Sequence, residues 1–200
     1  YFFKRAFEFV KRVFSRKPSI PAPTIPEPPP VSEAGPVTRD FVTGLYLNLC
    51  HNIRGGVTPY KKIRETKGKN RSPELDQLIL KQGGSLGEPY CVYGQQQAID
   101  DICSILKIDR KSVAIPEGGS SQRVFKKSPD RFKKSEPAPM RIVVWQYASD
   151  PTHGHCGMCL SEADGSGLFQ TFEFNTNPDP GAVIRDGQGA HFVNRNVAGT

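Results

Sequence analysis

The segment GEPYCVYGQQQAIDDIC, residues 87–103, decides how the rest of the chain is interpreted. A Gly-Glu-Pro turn precedes Cys91, and apolar residues at helical spacing follow it, so Cys91 is predicted to lie in the first turn of a helix. There the helix dipole and the unpaired N–H groups lower the pKa of a thiol toward the reactive thiolate. This position leaves three interpretations open for Cys91: a nucleophile, a metal ligand or a small buried side chain.

Two further helices are predicted before this segment. The first is TRDFVTGLYLNLCHNI, residues 38–53, with Thr38 as its N-cap. The second is SPELDQLILKQGG, residues 72–84. Ser72 is its N-cap, Pro73 takes the first helical position, and a glycine follows its end.

After residue 140 the apolar period changes from that of a helix to that of a strand. The runs RIVVWQYA (141–148), GHCGMCLSE (154–162) and LFQTFEFNT (168–176) are predicted strands. Helices followed by antiparallel strands indicate an α+β domain. The basic, turn-rich residues 110–135 between them are predicted to form a long surface loop, either a solvated face or one wall of a substrate groove.

The first 37 residues differ in composition from the rest. Residues 1–17 form a predicted basic amphipathic helix and hold +5 of the net charge of +7. Such a helix suits an anionic membrane or a groove on a virion or other protein partner, and packing on its own domain is the alternative. Residues 18–37 are proline-rich and are predicted to be a linker, which leaves 38–200 as the globular domain. Because the charge is concentrated in the first helix, no nucleic-acid partner is expected.

The five cysteines raise a second chemical interpretation. An odd number leaves at least one thiol unpaired within the chain, and the spacings do not resemble a secreted disulfide scaffold. His153, His155, Cys156 and Cys159 form an H-x-H-C-x-x-C cluster of the residue types that bind zinc. On a strand, however, Cys156 and Cys159 face opposite sides, which argues against a shared ion.

A second set of residues suggests nucleophilic catalysis. His155 lies on the second predicted strand, and Gly157 beside it is expected to leave open space in front of the imidazole for a substrate. Glu173 and Asn175 alternate with two phenylalanines and are predicted to share the polar face of the third strand. The order along the chain is Cys91, then His155, then an acid or amide. This order supplies a nucleophile, a base and a group that orients the base. The alternative is a half-exposed strand with ordinary solvent-facing polar residues.

Four blocks of the chain, within residues 55–200, match a known family in order. They are GKNRSPELDQLILKQGGSLGEPYC (68–91), APMRIVVWQY (138–147), HGHCGMCL (153–160) and TFEFNTNPDPGAVIRDGQGAHFVNRNV (171–197). Together they resemble the CHAP domains (cysteine, histidine-dependent amidohydrolase/peptidase), which are relatives of the NlpC-type cell-wall peptidases found in phage lysins.

The resemblance implies a papain-like fold, with N-terminal helices packed on a small antiparallel sheet. It implies Cys91 as nucleophile, His155 as base, Glu173 as the group that orients the imidazole, and Asn175 as a supporting polar group, with no cofactor or metal. The implied substrate is peptidoglycan, cut at the N-acetylmuramoyl–L-alanine bond or within the peptide stem or bridge. The implied place of action is the bacterial envelope, for a protein that is phage-encoded, virion-associated or exported by a bacterium.

The chain also departs from the family pattern. Tyr90 stands where the family has Trp, VYGQQ follows Cys91 where small apolar residues are usual, and Met140-Arg141 replaces a Gly-Asp turn. Cys156 replaces a valine beside the histidine, and a second thiol is therefore expected near the site but on the opposite face of the strand. None of these changes removes a residue with an expected catalytic role.

Overall fold

The structure of the chain is a computed structural model that describes residues 37–52, 58–178 and 186–199. The predicted amphipathic helix and all but the last residue of the predicted linker lie outside these ranges. Within them, no helix has the length and apolar character needed to cross a bilayer.

Both helices predicted before Cys91 are confirmed. Helix α1 is Arg39–His51, and its N-cap Thr38 accepts a hydrogen bond from the backbone N–H of Phe41. Helix α2 is Pro73–Lys81, and its N-cap Ser72 accepts from the N–H of Leu75 at 3.1 Å. These side chains bind N–H groups that have no partner within a helix, which is why both helices begin where the sequence predicts.

The helix that begins with Cys91 is the centre of the fold. Helix α3 is Cys91–Leu106, and eleven of its sixteen residues are buried, so it packs on several sides. Gly94 lets it approach the sheet closely, because a Cβ at this position would lie 2.1 Å from the ring of Phe174. The helix therefore lies directly against the third strand, and Cys91 is fixed at the edge of that contact.

The sheet has four antiparallel strands in sequence order. They are β1 Ile142–Tyr147, β2 Asp150–Cys159, β3 Leu168–Thr176 and β4 Gly189–Asn196. The first three confirm the predicted strands. The fourth was not predicted, and it pairs along most of β3.

The prediction of a long surface loop over residues 110–135 is wrong. A fourth helix, α4, runs over Ser121–Lys127, and two short 3-10 turns, Arg110–Ser112 and Asp130–Phe132, flank it. Ser120 caps α4, and Val124 is buried in a small cluster beneath it. The helix is seven residues long, which is too short for a clear apolar period, and its basic side chains favoured a surface loop.

The two faces of the sheet differ in chemistry. Helices α1, α2 and α3 bury an apolar core that includes Met158, Phe172 and Phe174. The alternate residues on β2 and β3 include His155 and Glu173, which are also buried. Helices beside an antiparallel sheet are compatible with the predicted α+β class.

Candidate active site

Cys91 is the first residue of α3 and lines an open cleft. The cleft has a volume of about 560 Å³, and its lining also includes Glu88, Tyr93, Arg123 and His153. No side chain caps the start of this helix. The first N–H groups of α3 are therefore available to an anion beside the thiol, where the positive end of the helix dipole also acts.

His155 and Glu173 form a buried hydrogen-bonded pair on adjacent strands. Nε2 of His155 lies 3.0 Å from Oε2 of Glu173, and the two side chains are 1% and 0% exposed. Trp145, opposite His155 on β1, stacks on the imidazole with a centroid separation of 5.8 Å. The carboxylate and the indole together fix the orientation of the imidazole ring.

Glu173 is held by more than the histidine. Arg195 donates two hydrogen bonds to it, from Nε to Oε1 at 2.8 Å and from Nη2 to Oε2 at 2.6 Å. The hydroxyl of Thr171 donates to Oε1 at 2.6 Å. Burial alone would raise the pKa of Glu173, but hydrogen bonds from Arg195 and His155 outweigh it and lower the pKa to about 2. The carboxylate is therefore ionised at every physiological pH.

Cys91 and His155 shift each other's pKa in opposite directions. Contact with the Cys156 thiol lowers the pKa of Cys91 most, burial opposes this, and His155 lowers it further, so that the pKa lies well below its ordinary value. Burial would lower the pKa of His155, but the neighbouring Cys91 thiol and the Glu173 carboxylate raise it to about 9. These directions favour a thiolate and an imidazolium.

Nδ1 is the imidazole nitrogen of His155 that is available to interact with the Cys91 thiol. Nε2 of His155 is engaged by Glu173, and Nδ1 is buried with no hydrogen bond of normal geometry within the described ranges. Cys91 is near enough to raise the pKa of the imidazole, so Nδ1 is the nitrogen through which a proton can pass between them. Catalytic hydrogen bonds are often loose before substrate binds and tighten afterwards.

The structure changes the expected role of Gly157. The sequence predicts open space for a substrate in front of the imidazole, and this prediction is wrong. A Cβ on Gly157 would lie 2.6 Å from Cγ of Glu173, so the side chain of Glu173 occupies that space. Gly157 instead allows the carboxylate to reach Nε2 of His155 from the neighbouring strand.

Asn175 lies two residues after Glu173 on β3, where the backbone is distorted. Its φ of +58° is in the left-handed region, and the register of β3 with β4 shifts between Phe174 and Thr176. The Asn175 amide oxygen accepts a hydrogen bond from the N–H of Gly187 at 3.2 Å. The strict alternation that placed Asn175 beside Glu173 is thus interrupted, and its supporting role stays a prediction.

Arg195 is the site residue that the sequence analysis missed. It lies on β4 in the run AHFVNRNV, residues 190–197, which follows a Gly-rich turn. Aromatic and β-branched residues after such a turn are a strand signal that would have revealed β4. No pattern in the sequence links Arg195 to Glu173, because their contact depends on how β3 and β4 pair.

The residues of the alternative zinc cluster are not brought together. Nδ1 of His153 lies 2.6 Å from Asp150, and the Cys159 thiol donates to the carbonyl of Ser161 at 3.0 Å. Across the described ranges, no group of three or more His, Cys, Asp or Glu side chains is placed to hold a metal ion. Cys156 and Cys159 pack in different clusters, as the strand alternation predicts.

Comparison of the chain with family models, with curated proteins and with solved structures finds no match in any of the three.

Proposed function

We propose that this chain is a cysteine-dependent hydrolase that cleaves an amide bond in peptidoglycan, with the papain-like CHAP arrangement that its sequence resembles. The observation that carries the proposal is the position of His155, which lies between the Cys91 thiol and the buried carboxylate of Glu173. A nucleophile, a base and an orienting group thus come from three separate elements, and the nucleophile lines the cleft. That is the arrangement that acyl transfer requires.

The first step prepares the nucleophile. His155 takes the proton of the Cys91 thiol, and Glu173 stabilises the resulting imidazolium through Nε2. The pKa of the thiol is lowered and that of the imidazole is raised to about 9, so the charged pair is the resting form near neutral pH. Because the thiolate is the reactive form of cysteine, no further activation is needed before substrate binds.

The remaining steps form and resolve a thioester. The Cys91 thiolate attacks the amide carbonyl carbon, and the negative charge moves to the carbonyl oxygen. The uncapped N–H groups at the start of α3 lie beside the thiol and can stabilise that oxyanion. His155 protonates the leaving amine as the C–N bond breaks. It then takes a proton from water, which hydrolyses the thioester and restores the thiolate and the imidazolium.

Arg195 affects how strongly the Glu173 carboxylate interacts with the His155 imidazolium. Its two hydrogen bonds to Glu173 hold the carboxylate in the plane where it meets Nε2, and its positive charge offsets part of the negative charge that the imidazolium faces. We class Arg195 as a positioning residue because its described contacts reach the imidazole only through Glu173 and Trp145.

The proposed substrate and location follow from the resemblance, and two features agree with them. The cleft at Cys91 is open to solvent and has room for a peptide segment. The basic residues 1–17 and the proline-rich 18–37 suit a tether that holds the domain at an anionic envelope. The proposed place of action is therefore the bacterial cell envelope, for a phage-associated or exported protein.

The direct test is the clearing of purified peptidoglycan by the full chain and by Cys91→Ala. We expect the substitution to remove activity by a factor on the order of 10⁴ or more, because the nucleophile acts as a unit with its base. Cys103→Ala is the matched control, since Cys103 is buried in the same helix away from the cleft, and this variant should clear the wall normally. Mass spectrometry of the new ends identifies the bond that is cut.

A second measurement tests the site without a substrate. The rate at which iodoacetamide alkylates Cys91 reports the thiolate fraction, and we expect it to persist well below the pH at which an unfolded cysteine reacts. Rapid alkylation at low pH without wall clearing would support the site while rejecting peptidoglycan as its substrate, and would point to an inactive binding module or another amide. An ordinary thiol titration would contradict the mechanism itself.

A further inference from the structure

We propose that Cys91 and Cys156 form a reversible oxidation site, in which a hydroperoxide converts the two thiols into a disulfide that blocks the nucleophile. The sequence places Cys156 where the resembling family has valine, and the hydrolytic mechanism does not use it. The oxidation needs only the thiols, so it can be tested whether or not the chain hydrolyses peptidoglycan.

The two cysteines pack together although they are far apart in the chain. Cys91 and Cys156 belong to one small buried cluster with Val92 and Val124, at the contact of α3 and α4 with β2. The Cys91 sulfur interacts with both the thiol and the backbone of Cys156. His155 and Cys156 are adjacent on β2, and Cys91 interacts with both of them.

The pair has one accessible member and one enclosed member. Cys91 lines the cleft and is 6% exposed, whereas Cys156 is 2% exposed and does not line the cleft. A small peroxide therefore meets Cys91 first. Contact with Cys91 and burial raise the pKa of Cys156 well above its ordinary value, so it stays protonated until Cys91 has changed.

The chemistry is balanced by one peroxide and the two thiols. The Cys91 thiolate attacks one peroxide oxygen, the O–O bond breaks, and the departing hydroxide takes a proton from the His155 imidazolium to leave as water. The resulting sulfenic acid is attacked by the Cys156 sulfur, an S–S bond forms, and the sulfenic oxygen leaves as a second water with the thiol proton. Sulfur is oxidised and peroxide is reduced, and an external dithiol reverses the change.

A peptide map of the oxidised full chain tests the proposal directly. The chain is treated with a molar excess of hydrogen peroxide, digested without reductant and analysed by mass spectrometry. We expect a cross-linked peptide joining Cys91 to Cys156, complete loss of Cys91 alkylation, and full recovery of alkylation after dithiothreitol. A Cys91 sulfinic acid with no cross-linked peptide, or a cross-link to another cysteine, would overturn the proposal.

Two variants separate this pair from general thiol oxidation. In Cys156→Val the sulfenic acid has no partner, so peroxide should carry Cys91 on to sulfinic acid and the loss of alkylation should resist dithiothreitol. Cys159→Val is the matched control, because Cys159 lies on the same strand in a different cluster. It should behave as the native chain does. Equal recovery in both variants would contradict the pairing, and Cys156→Ala repeats the test if the valine variant misfolds.

Discussion

The two faces of β2 and β3 use alternate residues of the same strands for opposite purposes. One face places Met158, Phe172 and Phe174 against the helices, in an apolar core. The other buries His155 and Glu173 together with an arginine. Both faces exclude water to a similar degree, so burial alone does not distinguish the core of this protein from its candidate site.

The difference shows what each face contributes. The apolar face gains free energy from every side chain that leaves water. The polar face must first offset the cost of burying ionised groups, and its charges are tolerated because each is paired and hydrogen-bonded. Buried ionised groups gain little stability from their burial, which is the reason that we place the function at His155 and Glu173.

The largest change in the free energy of unfolding is expected when Arg195 is removed from the polar face. Arg195→Met leaves the Glu173 carboxylate buried without its main partner, and we expect the free energy of unfolding to fall by about 3–5 kcal/mol. In the double variant Arg195→Met with Glu173→Leu, both charges are gone, and most of this loss should be recovered. Urea unfolding at neutral pH measures both changes.

The control for this comparison is Arg131→Met, which removes an exposed arginine and should change stability by no more than about 0.5 kcal/mol. If the double variant is as unstable as Arg195→Met alone, the polar face stabilises the fold by itself and the contrast between the faces is lost.

A smaller change in the free energy of unfolding is expected when the Glu173 carboxylate is protonated in acid. The pKa of Glu173 is lowered from 4.5 to about 2 in the folded chain. A lowered pKa contributes stability that is fully present above pH 4.5 and is lost as the pH falls from there toward 2. Met158, Phe172 and Phe174 on the apolar face carry no titratable group, so Glu173 should make the polar face the more acid-sensitive of the two.

Other carboxylates also titrate in acid, so the measurement compares the native chain with Glu173→Gln by urea unfolding from pH 6 to pH 3. The stability difference between them should shrink as the pH falls. A constant difference would show that Glu173 does not carry the acid sensitivity that its hydrogen bonds predict.

The smallest effect is expected on the apolar face, from one added methyl group. Gly94→Ala forces a Cβ into the ring of Phe174, and we expect a loss of about 1–3 kcal/mol from overpacking. Gly44→Ala is the matched substitution in helix α1, where nothing lies within 4 Å of the new Cβ, and it should gain about 0.5–1 kcal/mol. A similar change for both glycines would show that the α3–β3 contact adjusts freely.

Local sequence signals predicted most of the secondary structure. Thr38 and Ser72 marked the starts of two helices, because an N-cap acts within one turn of its own position. The β3 prediction of 168–176 agrees with the structure at both ends, since alternation over nine residues is a strong pattern. Helix α4 was missed because a helix of seven residues gives weak periodicity. Strand β4 was missed although its aromatic and β-branched residues are a strand signal.

The candidate site was predictable only in part. Cys91, His155 and Glu173 were selected from the sequence by residue type and by the faces of their elements, and the structure brings them together. The space assigned to substrate beside Gly157 is filled by Glu173, because strand pairing brings that side chain across from β3. The alternation that predicts a shared face for Asn175 and Glu173 is interrupted at Asn175, whose backbone is left-handed.

The sequence by itself determined the elements, their caps and which residue types alternate on each strand, because these depend on contacts within a few residues. The tertiary structure alone decided that Arg195 holds Glu173 and that Cys156 meets Cys91. Both contacts join elements far apart in the chain, at distances of a few ångströms that depend on sheet register and helix packing. Periodicity fixes the face on which a side chain lies, whereas its partner depends on which other element packs against that face.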